Sequence, residues 1–100
     1  MADSDSTFYE RADAIIQLAN SQVSDDIFPG AVSASAMYGV ARYNAFISAS
    51  DFESADDYKA ERAEIVKYFV EEYRKMLEEH IDDHTENFNE YMRPKFVSQY

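Results

Sequence analysis

The two histidines of the chain, His80 and His84, are the side chains best suited to chemistry. They lie four residues apart in a stretch with helical periodicity, so both imidazoles would share one helix face and could bind a divalent cation. The zinc-protease glutamate is absent from residues 81–83, and Leu77 and Ile81 occupy the positions that glutamate holds in di-iron bundles. We therefore expect both histidines at the edge of an apolar interface, with a metal site as the alternative, and we predict no cofactor.

Arg42 is the second candidate, because it interrupts an otherwise uncharged apolar segment. If the first two helices pair antiparallel, Arg42 lies level with Asp13, and we predict an ion pair between them. An arginine without a converging acid, base or nucleophile performs no chemistry by itself. The serines lack a histidine in the same half of the chain, so we predict no catalytic residue and a protein that is not an enzyme.

Composition limits the classes of protein that fit. Twenty acidic residues against nine Lys plus Arg give a formal charge of −11 over 100 residues, with no cysteine, two glycines and two prolines. Such a surface disfavours binding to nucleic acid or anionic membranes and fits a basic protein partner. The absence of cysteine excludes disulfides, and the scarcity of Gly and Pro disfavours a β-sandwich or barrel. Neither a signal peptide nor an 18-residue apolar run is evident, so we expect a cytoplasmic location.

Apolar periodicity predicts an all-α protein with a three-helix bundle core, a long third helix and a helical C-terminal extension. We place the flexible N-terminus at residues 1–6 and the extension, partly helical, at residues 84–100. The second helix has apolar residues on two opposite sides, which predicts that it is the most buried element. The helical domain between the termini spans residues 7–83, with helices at about 7–23, 33–50 and 54–83. Ser54 is the expected cap of the third helix, and residues 24–30, which include Pro29, are expected to form a loop.

The third helix is too long for the other two to cover. At about 1.5 Å per residue, the first two helices would each extend about 25 Å and the third about 45 Å. Either the segment after Thr85 folds back as a fourth helix, or two chains pair through the uncovered part. We favour a two-fold homodimer, because the apolar pattern keeps its phase past His84. The interface residues that this predicts are Tyr73, Met76, Leu77, Phe88 and Tyr91.

Five blocks of the sequence carry a resemblance to a known family; they are Phe8–Ile16 with Leu18–Asn20, Val32–Ser35, Ala41–Phe46, Tyr68–Phe69 and Tyr73–Leu77. They resemble a small bacterial family of unknown function, the DUF3144 type. The resemblance covers about residues 8–83 and implies a short helical cytoplasmic protein without an assigned activity. Residues 84–100 extend beyond the usual end of the family.

These observations favour a non-enzymatic interaction or accessory module that presents acidic, aromatic-rimmed helices to a protein partner. The alternative is a small metal- or ligand-binding helical bundle that uses His80 and His84.

Overall fold

The computed structural model describes residues 6–92 and confirms the all-α class. Residues 1–5 and 93–100, including most of the predicted flexible N-terminus and the end of the extension, lie outside the described range. The described residues divide into two units, 6–43 and 44–92. The helices are α1 (Ser6–Ser21), α2 (Pro29–Ala49), α3 (Ala55–Ala60), α4 (Arg62–Glu86) and α5 (Phe88–Met92).

The first unit contains α1, a loop and most of α2. The loop is organised by Ser24, whose hydroxyl accepts hydrogen bonds from the backbone N–H groups of Asp26 and Ile27, each at 3.2 Å. The carbonyl of Phe28 accepts the first helical bonds of α2, so α2 begins at Pro29 rather than at about residue 33. Proline suits a first helical turn, because its φ angle is helical and its missing N–H would have no partner there.

Burial in the first unit is limited to a small area of α1 and α2. Val32 is the only buried residue among residues 7–92, at 4% exposed. Ile16, Ala19, Val23 and Ala36 are partly covered. The second helix contains Val32, but it is not covered on two opposite sides as its apolar pattern predicted, since the large side chains along it are exposed; these are Met37, Tyr38, Val40, Tyr43, Phe46 and Ile47.

In the second unit, Tyr58 of α3 bonds to the end of α2. Its hydroxyl donates to the carbonyl of Ala45 at 2.9 Å and lies 2.9 Å from the hydroxyl of Ser48. The hydroxyl of Ser48 also donates to the Ala45 carbonyl, at 3.0 Å. The two hydroxyl groups and the carbonyl oxygen are therefore all in mutual contact and share two hydroxyl protons. The ring of Tyr58 packs on Phe52, with 5.4 Å between centroids. The predicted cap at Ser54 is present, because its side chain accepts from the N–H of Asp57 at 3.1 Å.

We expect Tyr58→Phe to lower the free energy of unfolding by about 1 kcal/mol, the net contribution of a typical hydrogen bond. Phenylalanine keeps the ring packing on Phe52 and removes only the hydroxyl that joins α3 to α2. Urea denaturation followed by circular dichroism measures the change, with Tyr68→Phe on the exposed side of α4 as the control. Equal stabilities of the two variants would show that the Tyr58 hydroxyl contributes nothing.

The predicted third helix at residues 54–83 is divided at Glu61. The N–H of Glu61 bonds to the Tyr58 carbonyl three residues earlier, at 3.1 Å, and its φ and ψ of −97° and 7° leave the α-helical region. The sequence has no glycine or proline there to indicate a break. The break coincides with the contact between Tyr58 and α2, a tertiary interaction that local periodicity does not encode.

The predicted C-terminal extension begins as a continuation of the long helix. α4 passes through the weak helix formers at residues 82–85 and ends at Glu86, three residues beyond the predicted end. The hydroxyl of Thr85 donates to the carbonyl of Ile81 at 2.7 Å, so Thr85 lies within α4 and does not cap a fourth helix. Backbone bonds from Asn87 to Asp83 and from Tyr91 to Asn87 cross the junction to α5. The segment therefore continues along α4 to Met92 and does not fold back.

Candidate functional site

The most extensive surface feature of the second unit is an apolar face along α4 and α5, which we call the α4 face. The five predicted interface residues are among its members, and each is between 40% and 59% exposed. Most of the other positions of α4 carry polar or charged side chains, and no helix within residues 6–92 is long and apolar enough to cross a membrane. The α4 face consists of Val66, Val70, Tyr73, Met76, Leu77, Phe88 and Tyr91.

His80 and His84 both lie on α4, as their spacing predicts. The Nδ1 atom of His84 lies 2.8 Å from the His80 carbonyl oxygen, and the His84 ring packs against Tyr91 with 5.0 Å between centroids. A metal-binding histidine uses one ring nitrogen and commonly hydrogen-bonds to a carbonyl through the other, so this contact neither requires nor excludes a metal. Within residues 6–92, no three or more side chains of the metal-ligating types come together. In the described part of the chain, His80 and His84 therefore have no third side chain of these types beside them to complete a metal site.

We expect Zn²⁺ or Ni²⁺ to leave the melting temperature of the protein unchanged at about equimolar concentration. A tight site needs three or four ligands, and a metal that binds only the folded state would raise the melting temperature. Thermal melts with and without metal measure this, and His80→Ala serves as the matched variant. A clear rise that His80→Ala abolishes would contradict the expectation and establish the metal site.

The structure does not bring Arg42 and Asp13 together. The Nη2 atom of Arg42 donates to the hydroxyl of Tyr38 on the same helix at 3.3 Å, and the guanidinium carbon lies 5.1 Å from the centroid of that ring. No ion pair joins Arg42 to Asp13 within the described residues. Tyr38 lies four positions from Arg42 on the same helix, so this cation–π contact costs less conformational entropy than a contact with another helix. The local partner is therefore favoured.

A cluster of three polar residues at the junction of α4 and α5 was not predicted. The side-chain amide of Asn87 donates to the carboxylate of Asp83 at 3.0 Å and to its carbonyl at 3.1 Å. The hydroxyl of Tyr91 donates to the same carboxylate oxygen at 3.3 Å. Spacings of four residues place these side chains on one helix face, which is the signal that could have revealed them. The cluster secures the direction of α5 after the break at Asn87.

The pKa of Tyr91 is raised above its ordinary value of 10.0, first by desolvation and then by the charge of Asp83 and the hydrogen bond to it. The folded state therefore favours the neutral phenol. The stabilisation that the folded state gains from the neutral Tyr91 phenol is fully present below the ordinary pKa of tyrosine, and it is lost as the pH rises through the folded-state pKa.

We expect Asp83→Asn to lower the pKa of Tyr91. Absorbance titration of tyrosinate, with Tyr91→Phe subtracted, measures it, and an unchanged value would contradict the role of Asp83.

Comparison with known proteins places the chain in a family. The family described as "Protein of unknown function (DUF3144)" matches residues 8–85, close to the range of the resemblance seen in the sequence. The NMR structure of the protein NB7890A from Shewanella sp. is similar, with 40% sequence identity and a TM-score of 0.73, over 84% of this chain and 88% of that chain. None of the curated proteins matches. The chain belongs to the DUF3144 family of proteins of unknown function.

Proposed function

We propose that the protein is a non-enzymatic, self-associating interaction module of the cytoplasm. It forms a homodimer through apolar helix surface and presents its acidic helices to a basic protein partner. One observation carries the proposal: large apolar side chains are exposed on every helix of eight residues or more, while Val32 is the only buried residue among residues 7–92.

The exposure of these side chains is energetically costly in a single chain. Complete burial of one large apolar side chain contributes about 1.5–3 kcal/mol, and contiguous apolar patches mark interaction sites on soluble proteins. Side chains that are about half exposed, such as Tyr73 and Met76, retain about half of that gain. A second copy that covers several of them at once supplies several kcal/mol toward association.

The charge of the chain indicates what kind of further partner fits. With a formal charge of −11, long-range attraction favours a positively charged protein and repels phosphate backbones. The acidic residues of α4 point to the same class of partner, since Glu78, Glu79 and Asp82 are all exposed. The non-enzymatic assignment is supported by the polar clusters of the second unit, whose hydrogen bonds connect helix ends to one another.

Sedimentation equilibrium across a wide range of concentrations tests self-association. The expected result is a monomer–dimer equilibrium with a mass that approaches twice 11.5 kDa. A mass of one chain at every concentration would overturn the homodimer.

The basic partner is tested by affinity capture with wild-type protein and with the isosteric variant Glu78→Gln/Glu79→Gln/Asp82→Asn. A specific partner is a basic protein that wild type retains, that the variant loses, and whose retention falls as salt increases, because surface charge interactions are screened. Equal capture by both proteins would contradict the acidic-surface interpretation.

A further inference from the structure

The charges along α4 and α5 are distributed unevenly. Residues 62–75 contain four basic and three acidic side chains, a net charge of +1. Residues 76–92 contain six acidic side chains and no lysine or arginine, a net charge of −6. Lys75, the last lysine or arginine within residues 62–92, is paired with Glu72 at 3.0 Å, and this contact raises the pKa of Lys75. The segment therefore has a basic-to-neutral first half and a strongly acidic second half.

From this asymmetry we propose that two copies of the chain pair through the α4 face in antiparallel orientation. This inference rests on the proposed self-association and names its surface and geometry. Antiparallel pairing places the first half of each copy beside the acidic half of the other. Parallel pairing would place −6 against −6, and like charges in close contact weaken association strongly.

The α4 face has the length and pattern that a helix pair needs. Residues 62–92 form an almost continuous helical segment about 46 Å long, which is more than four heptads. Paired helices require apolar positions sustained over about three to four heptads. The apolar residues extend from Val66 to Tyr91 and so reach both halves of the segment, with His80 and His84 at the positions of the face between Leu77 and Phe88.

Antiparallel pairing of the α4 face defines where the two histidines lie in the dimer. His80 and His84 lie just past the middle of the segment, so an antiparallel partner centred near residue 76 places them opposite residues of the first half, near positions 72 and 68. There the rings would pack at the interface, and no metal is needed to account for their place on the apolar face.

Distances between spin labels test the orientation directly, because the chain contains no native cysteine. Labels are attached in full-length protein through Ala63→Cys or Asn89→Cys, at exposed positions beside opposite ends of the α4 face. An antiparallel dimer centred near residue 76 gives about 40 Å between identical labels, at about 1.5 Å per residue. A mixture of the two labelled proteins adds a short distance of about 20 Å or less, because packed helix axes are about 10 Å apart.

Parallel pairing reverses this result, with short distances between identical labels and long ones in the mixture, and would overturn the inference while leaving self-association intact. Failure of wild-type protein to dimerise would overturn the proposed function as well. A dimer in which neither pair of sites gives a short distance would show that another surface is used.

A charge variant provides an independent readout. Lys67→Glu/Arg74→Glu makes the first half of the segment acidic, and we expect it to weaken dimerisation by about tenfold or more, since acidic halves then face each other. The control Arg11→Glu/Lys59→Glu changes the net charge equally outside α4. Equal weakening by both variants would show that only net charge matters and would overturn the antiparallel arrangement.

Discussion

Val70→Glu/Leu77→Glu is expected to convert the dimer to single chains at concentrations where wild type is fully paired. Both residues lie on the α4 face, and each occurs twice in a two-fold dimer, so four apolar side chains are lost from the interface. At about 1 kcal/mol each for side chains already half covered, the loss is about 4 kcal/mol, or about a thousandfold in affinity. Burial of the introduced carboxylates adds to this loss.

Sedimentation equilibrium measures the effect, and the control is Thr85→Glu/Asn89→Glu. This control adds the same two charges at exposed positions outside the α4 face. It should remain largely dimeric, because its added carboxylates stay in water. If both double variants dissociate to the same extent, added charge alone explains the result and the α4 face is not the interface.

Dilution of the wild-type protein by about a hundredfold is expected to lower its melting temperature by about 5–10 °C. Mass action over that range removes about 2.7 kcal/mol from the apparent stability of a dimer. For about 200 residues unfolding together, each kcal/mol corresponds to about 2–4 °C. With Val32 as the only buried residue among residues 7–92, we expect the helices of a separate chain to be weakly stable.

Circular dichroism melts at several concentrations measure this shift. The Val70→Glu/Leu77→Glu variant is the matched control, since its melting temperature should be low and independent of concentration. A wild-type melting temperature that is the same at all concentrations would show that folding and association are not coupled.

Local sequence patterns predicted the helices well where short-range chemistry determines them. Ser54 accepts the capping hydrogen bond that its position indicated, and α1 begins and ends within two residues of the prediction. The start of α2 was placed too late, because Pro29 was interpreted as part of a loop although proline is favoured in a first helical turn. Gly30 follows it within the helix. The error arose because proline and glycine occur in turns as well as in the first turn of a helix.

The sequence alone did not reveal which of several possible side chains or helices a given residue contacts. Arg42 had Asp13 as a plausible partner on another helix, yet it contacts Tyr38 one turn away. The break at Glu61 accompanies bonds from Tyr58 to Ala45 and Ser48, and periodicity contains no information about a contact between helices. Exposure of the later part of the α4 face, from Tyr73 onward, was anticipated from helix lengths, because length follows directly from the number of periodic residues. Val66 and Val70, in the half that the first two helices were expected to cover, are exposed as well.

The acidic end of α4 has a consequence for local opening. Carboxylates at Asp82, Asp83 and Glu86 oppose the negative end of the helix dipole, and Glu78 and Asp82 repel each other one turn apart. In a solitary chain this end should fray first, and its amide hydrogens should exchange rapidly with deuterium. A positively charged partner protein bound beside this end would slow the exchange. Hydrogen exchange of residues 82–92 would therefore detect binding to this surface even where global unfolding is unaffected.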